Sequence, residues 1–195
     1  MRAVVVVAHP NPHSFGQAIA ATARTALAER GHDVTVLDLY AEGFQTAMTL
    51  AERHAYHGDH PIIDPMVARH AAIVQQAEVL VFVYPTWWST VPAILKGWLE
   101  RVMVPGVSFV FDERRRVRPG LTNIRRLVGI STYGAPWPLV KAINDNGRRT
   151  LLRALRLNTG LRTRRSWLAL YKTDRSTPAQ RAAFLRRVDR KLRSL

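Results

Sequence analysis

The chain contains no cysteine. Disulfides, thiolate nucleophiles and cysteine metal sites are therefore excluded. That fits a reducing compartment, and the cytoplasm is the expected location. No apolar run reaches the ~20 residues needed to cross a bilayer. Met1-Arg2-Ala3-Val4 runs straight into apolar sequence, without the leader and cleavage site of a signal peptide, so none is expected. Walker and Rossmann glycine fingerprints are missing. So are internal repeats and low-complexity linkers. Lysine is scarce, at positions 96, 141, 172 and 191 only, although Lys and Arg together number 29.

What is present suits a single domain over 1–195, with an arm around 106–120. The 195 residues are 47% hydrophobic, enough to build a packed core. The net charge of +15 is unevenly placed. Residues 1–112 carry 7 Lys and Arg against 10 Asp and Glu; residues 113–195 carry 22 against 4. Such a basic half raises nucleic acid, an anionic membrane surface or an acidic partner as ligands. The basic runs lack interleaved aromatics and match no nucleic-acid motif, so no nucleic acid is expected. A membrane-surface or transporter partner for the basic C-terminal part stays open.

Along the chain, short apolar runs alternate with segments of helical period. Val4–Ala8, Asp33–Leu39, Val79–Tyr84, Arg126–Ser131 and Ser166–Leu170 read as strands. Ser14 caps a helix over Phe15–Arg30 that Gly31 closes. Val67–Gln76, Val91–Met103 and Pro138–Leu157, with Gly147 as a weak point, read as further helices. Thr177-Pro178 opens the last, whose apolar stripe is Ala183, Phe184, Val188 and Leu192. Tyr40–Pro65 shows no period and reads as a long excursion of the kind that serves as a lid. Ser108–Phe111 followed by Val117 reads as a hairpin. Alternation of strand and helix predicts an α/β fold: a doubly wound, five-stranded parallel sheet in the flavodoxin-like order 2-1-3-4-5.

In that order the ligand crevice lies where the loops after the first and third strands part. Those two loops are the chemically odd ones. The first, Ala8-His9-Pro10-Asn11-Pro12-His13-Ser14-Phe15-Gly16, ends at a helix N-terminus that favours an anion. His9, His13 and Ser14 add donors. The histidine spacing lacks the third ligand that zinc needs. The second, Pro85-Thr86-Trp87-Trp88-Ser89, puts two indoles after a buried strand, where they can wall a flat aromatic ligand or form an interface. Ser131-Thr132-Tyr133-Gly134 follows the fourth strand onto the same edge. No nucleophile triad is visible, and Ser14 lacks the strand-turn-helix elbow of a serine nucleophile. An anion site and an aromatic wall without an acid–base dyad point to chemistry carried by a cofactor.

His9 and His13-Ser14-Phe15 after a first strand, then Pro85-Thr86-Trp87-Trp88 leading into Val91-Pro92-Ala93-Ile94-Leu95-Lys96-Gly97-Trp98-Leu99-Glu100-Arg101-Val102, resemble the NAD(P)H:quinone oxidoreductase family of flavodoxin-like proteins. The resemblance covers roughly residues 1–134. It implies a homodimer with FMN or FAD in each site, FMN being favoured. It implies transfer of two electrons from NAD(P)H through the flavin to a quinone-like acceptor. By matching positions, His9, His13, Ser14 and Phe15 would hold the flavin phosphate region. Pro85, Thr86, Trp87 and Trp88 would line the isoalloxazine ring, and Thr132, Tyr133 and Gly134 its other side. Relatives of the DT-diaphorase type carry a Tyr and a His after the fourth-strand loop. Pro136–Lys141 offers neither, so no catalytic residue is carried over. A flavin-binding ancillary subunit of a transporter is the alternative implied by the same family.

Overall fold

Successive residues of β1 (Arg2–Val7) point to opposite sides of a sheet, and both sides are apolar and buried. The computed structural model, which describes residues 1–195, places β1 at the centre. Around it lie β2 (Asp33–Asp38), β3 (Val79–Pro85), β6 (Arg126–Thr132) and β7 (Arg164–Leu170), all parallel, in the order β2-β1-β3-β6-β7. Numbered within the main sheet this is 2-1-3-4-5, as the sequence predicts. The intervening β4 (Phe109–Phe111) and β5 (Val117–Pro119) form a separate antiparallel hairpin, the expected arm.

Alternation along the strands divides the core in two. Val4, Val6, Leu80 and Phe82 face one layer, built by α3 (Pro65–Gln76), α4 (Ala93–Val102) and a later helical segment. Val5, Val7, Val81 and Val83 face the other layer, built by α1 (Phe15–Ala28) and α8 (Pro178–Arg193). Each fully buried aliphatic side chain contributes about 1.5–3 kcal/mol. Ser14 caps α1 by accepting from the Gln17 N–H, and Gly31 follows it at φ +75°. Thr177 and Gln180 close α8 with a capping box. Its inward stripe is Phe184, Val188 and Leu192; Ala183 is exposed, a correction to the sequence reading.

The excursion after β2 differs from the expectation. It contains α2 (Leu50–Ala55), started by a capping box between Thr49 and Glu52. It is not a loose lid. Gly97 of α4 lies so close to it that a Cβ would stand 2.4 Å from the Thr46 carbonyl oxygen. One turn on, buried Arg101 donates to Glu52 Oε1 at 2.8 Å, to Asp64 Oδ2 at 2.8 Å and to the Gln45 carbonyl at 2.6 Å. Trp98, beside it, is a core residue whose Nε1–H donates to His70 Nδ1 at 3.0 Å.

The long helix expected over Pro138–Leu157 is broken. α5 (Trp137–Ala142) stops at Asn144 and Asp145, both left-handed at φ +78° and +45°. The chain restarts as α6 (Asn146–Arg149), passes through a π-helical turn at Thr150–Leu155 and ends in α7 (Arg156–Thr159). The break precedes Gly147 rather than falling on it. Asn and Asp tolerate the left-handed conformation that ends a helix.

Candidate functional site

A parallel sheet delivers every strand end to the same edge, so the loops after β1, β3, β6 and β7 converge. Between them is a groove of about 410 Å³. Seven residues singled out in the sequence line it: His9, Phe15, Pro85, Thr86, Trp87, Thr132 and Gly134. A second groove of about 280 Å³ shares Thr86 and Gly134 with the first and adds Trp88, Ser89 and Tyr133. His13 and Ser14 line neither groove. His13 is exposed, and Ser14 Oγ is engaged as the α1 cap at 3.2 Å from the Gln17 N–H.

The first groove is polar at one end. His9 is half-buried, and burial holds its pKa below the usual value, so the ring is neutral near pH 7. The Asn11 N–H donates to its Nδ1 at 3.1 Å, which puts the ring proton on Nε2 and leaves that N–H as a donor. Phe15 and Gly16 form the first turn of α1, where backbone N–H groups have no helical acceptor. Arg181, in the first turns of α8, brings its guanidinium to 6.0 Å from the Phe15 ring centroid and lines the same end.

The Trp87–Thr90 segment is a tight turn. Trp87 and Thr90 exchange backbone hydrogen bonds at 3.2 and 3.0 Å. Its two central residues, Trp88 and Ser89, sit at φ +46° and +60°. That is the geometry of a type I′ turn, which ordinarily takes Asn-Gly. A left-handed bulky residue costs about 1–2 kcal/mol. The turn separates the two indoles. Trp87 stays on the first groove, its ring centroid 6.1 Å from that of His9. Trp88 is thrown outward and is 99% exposed. The sequence expectation of one continuous two-indole wall is corrected accordingly: one ring flanks each groove. The backbone N–H groups of Trp88, Ser89 and Gly134 make no hydrogen bond within the chain.

Under the second groove, Tyr133 is buried and stacks on Tyr171 at 4.9 Å between centroids. Its hydroxyl donates to Asp145 Oδ1 at 2.8 Å. Burial, and then the neighbouring carboxylate, push its pKa far above the usual phenol value, so it stays protonated. Behind it, Thr86 Oγ1 and Ser131 Oγ are hydrogen-bonded at 2.8 Å and tie β3 to β6. The Asp174 carboxylate packs close on Gly134, where a Cβ would lie 2.8 Å from its Oδ2.

Four lining residues were missed in the sequence: Gly16, Thr173, Asp174 and Arg181. Thr173 and Asp174 follow β7 directly, so the rule that found the other three loops would have found them. Arg181 has no such signal, because one arginine among many on a basic helix carries no mark.

The sequence matches the family described as "Flavodoxin-like fold" over residues 1–189. It is 30% identical over 149 residues to the NAD(P)H dehydrogenase [quinone] 1 of Rattus norvegicus, a match covering 69% of this chain and 54% of that protein. The chain thus spans about half the length of that relative. Among solved structures, the NAD(P)H:quinone oxidoreductase from Methanothermobacter marburgensis superposes with a TM-score of 0.83 at 24% identity, covering 99% of this chain and 98% of that one. An FMN-dependent NADH-azoreductase from Bacillus anthracis str. Ames Ancestor, in complex with FMN, superposes with a TM-score of 0.75 at 15% identity, covering 98% of each chain. At such identities the structures establish the shared fold alone.

Proposed function

The chain belongs to the flavodoxin-like fold family, and from that premise we propose that it is a flavin-dependent NAD(P)H oxidoreductase passing two electrons to a quinone or similar small acceptor. One observation carries the reading. The groove at the topological switch point has a phosphate-type end and a ring-type end. At the first stand the α1 N-terminus, the His9 Nε2–H and Arg181. At the second stand Pro85, Trp87 and the unused N–H groups of Trp88, Ser89 and Gly134. These features fit a flavin. FMN is favoured over FAD, on the short chain and the loop that pairs His9 with His13. The name of the Rattus norvegicus relative supports the same reading.

When bound, the flavin supplies the relay between nicotinamide and acceptor. The chain's residues position it. Donors fixed before the reaction stabilise negative charge that accumulates on the ring, without reorganising at that moment. The second groove, floored by the protonated Tyr133 and edged by Trp88, receives the flat partner. His13 and Ser14, expected to touch the phosphate, act in this reading through the loop and the α1 cap. The homodimer and the quinone-like acceptor belong to the proposal as well.

An absorbance spectrum before and after anaerobic NADPH tests it. The expected result is a pair of flavin bands that bleach. No flavin after reconstitution with FMN and with FAD would overturn the cofactor assignment. Bands that persist would favour the ancillary-subunit reading, which the basic residues 113–195 motivate.

A further inference from the structure

A third recess, of about 470 Å³, lies between the α5–α6–π segment and β7. We propose that it binds the 2′-phosphate of NADPH and makes NADPH, rather than NADH, the reductant; this rests on the NAD(P)H oxidoreductase reading above.

The recess concentrates charge without balancing it. Lys141, Arg148, Arg149, Arg153 and Arg165 line it, with Asp145 as the one carboxylate. Asp145 already accepts the Tyr133 hydroxyl and approaches only Arg148, at 4.0 Å. Arg149, Arg153 and Lys141 have no carboxylate within ion-pair distance. Arg165 donates to the Leu152 carbonyl at 2.9 Å. Two of the cations lie against aromatic rings. Lys141 Nζ lies 5.1 Å from the Trp137 ring, and the Arg148 guanidinium lies 5.8 Å from that of Trp167. Their donors are placed but unspent. Clustered like charges repel, and a bound anion removes that cost. Guanidinium groups match a phosphate monoester in shape as well as charge.

The backbone here is also unusual. The π-helical turn Thr150–Leu155 holds Arg153, and such turns concentrate at functional sites. The recess shares Val140 and Asp145 with the Trp88–Tyr133 groove, which itself adjoins the flavin groove. A nicotinamide seated beside Tyr133 can therefore run its tail along a continuous surface to the arginines. The recess shares no residue with the flavin groove, so it is not the flavin's own phosphate site. NADPH and NADH differ only by that one phosphate, and the recess offers NADH nothing in its place.

The test uses the flavin-loaded protein, an R149Q/R153Q variant and an R149K/R153K variant. The wild type is expected to prefer NADPH in kcat/KM by about tenfold or more, from two charge-assisted hydrogen bonds. The Gln variant should lose that preference through the KM for NADPH, with NADH kinetics and flavin content unchanged, and the Lys variant should keep most of it. Calorimetry should find 2′,5′-ADP binding more tightly than 5′-AMP, and the Gln variant should abolish the difference. Equal use of both reductants by the wild type, an equal loss for both in the Gln variant, or equal binding of the two nucleotides would overturn the proposal. If neither reductant bleaches the flavin, the oxidoreductase reading fails; calorimetry then decides the recess alone, and a lost preference for 2′,5′-ADP in the Gln variant still supports a phosphate site.

Discussion

Arg101 and Glu52, brought together from α4 and α2, form a buried ion pair in which guanidinium Nε stands 2.8 Å from carboxylate Oε1. Removing Arg101 leaves Glu52 charged and without a cation inside the protein, which costs about 3–5 kcal/mol. Arg101→Met is expected to lower the unfolding free energy read from a urea titration by that amount.

The same cluster sets an acid limit. Burial alone would raise the Glu52 and Asp64 pKa values, but hydrogen bonds from Arg101 and from backbone N–H groups outweigh it and hold both below the usual carboxylate range. Both folded-state values thus lie below the unfolded ones, near ~4. Their contribution is fully present above that pH and is lost as pH falls through the depressed values. A stability curve between pH 5 and pH 2 should show the loss, and Arg101→Met should flatten it.

His70 adds a separate slope nearer neutrality. Burial lowers its pKa against the opposing pull of Glu42, and Trp98 donates to its Nδ1, so the neutral ring is the folded form. Stability from this residue is complete above the unfolded pKa of about 6.5 and declines below it. His70→Gln is expected to abolish that part of the pH dependence in thermal melts between pH 7 and pH 5.

Ser89 occupies a position made for glycine. Ser89→Gly should raise stability by about 1 kcal/mol by relieving the left-handed strain. A denaturation midpoint that moves down would mean that the serine hydroxyl, not the turn, governs this position. Trp88→Ala, by contrast, should leave the midpoint nearly unchanged, because the indole is solvent-exposed, while slowing turnover of a flat acceptor.

Arg181→Gln should lower retained flavin on gel filtration by about tenfold in affinity, the scale of one charged hydrogen bond. Undiminished retention would move the phosphate contact elsewhere.

The sheet order was legible because strands alternate with helical periods, and β1, β3 and β6 are apolar runs buried on both faces, as the inner strands of a parallel sheet are. The caps at Ser14 and Thr177 were legible for the same local reason. Helix α2 was not, although the capping-box spacing was present in Thr49-Leu50-Ala51-Glu52. Its six residues show too little period, and Arg101, far along the chain, holds it. The break at Asn144–Asp145 was masked by the stronger expectation attached to Gly147. At the site, the loops following β1, β3 and β6 were found, and the loop following β7 was not. Arg181 was not, since it arrives from a helix, and neither was the outward turn of Trp88, which is a backbone dihedral that side-chain identity does not announce.

The order β2-β1-β3-β6-β7 leaves two strands with one unpaired edge each. Such edges invite association with other chains, strand to strand. Both carry gatekeepers: Asp33 and Asp38 close the ends of β2, and Arg164 and Arg165 open β7. Any chain that sought to extend the sheet from β7 would have to desolvate two guanidinium groups at its first contact. Arg165, one of the cations lining the recess beside β7, thus also helps keep that edge from becoming a template for aggregation.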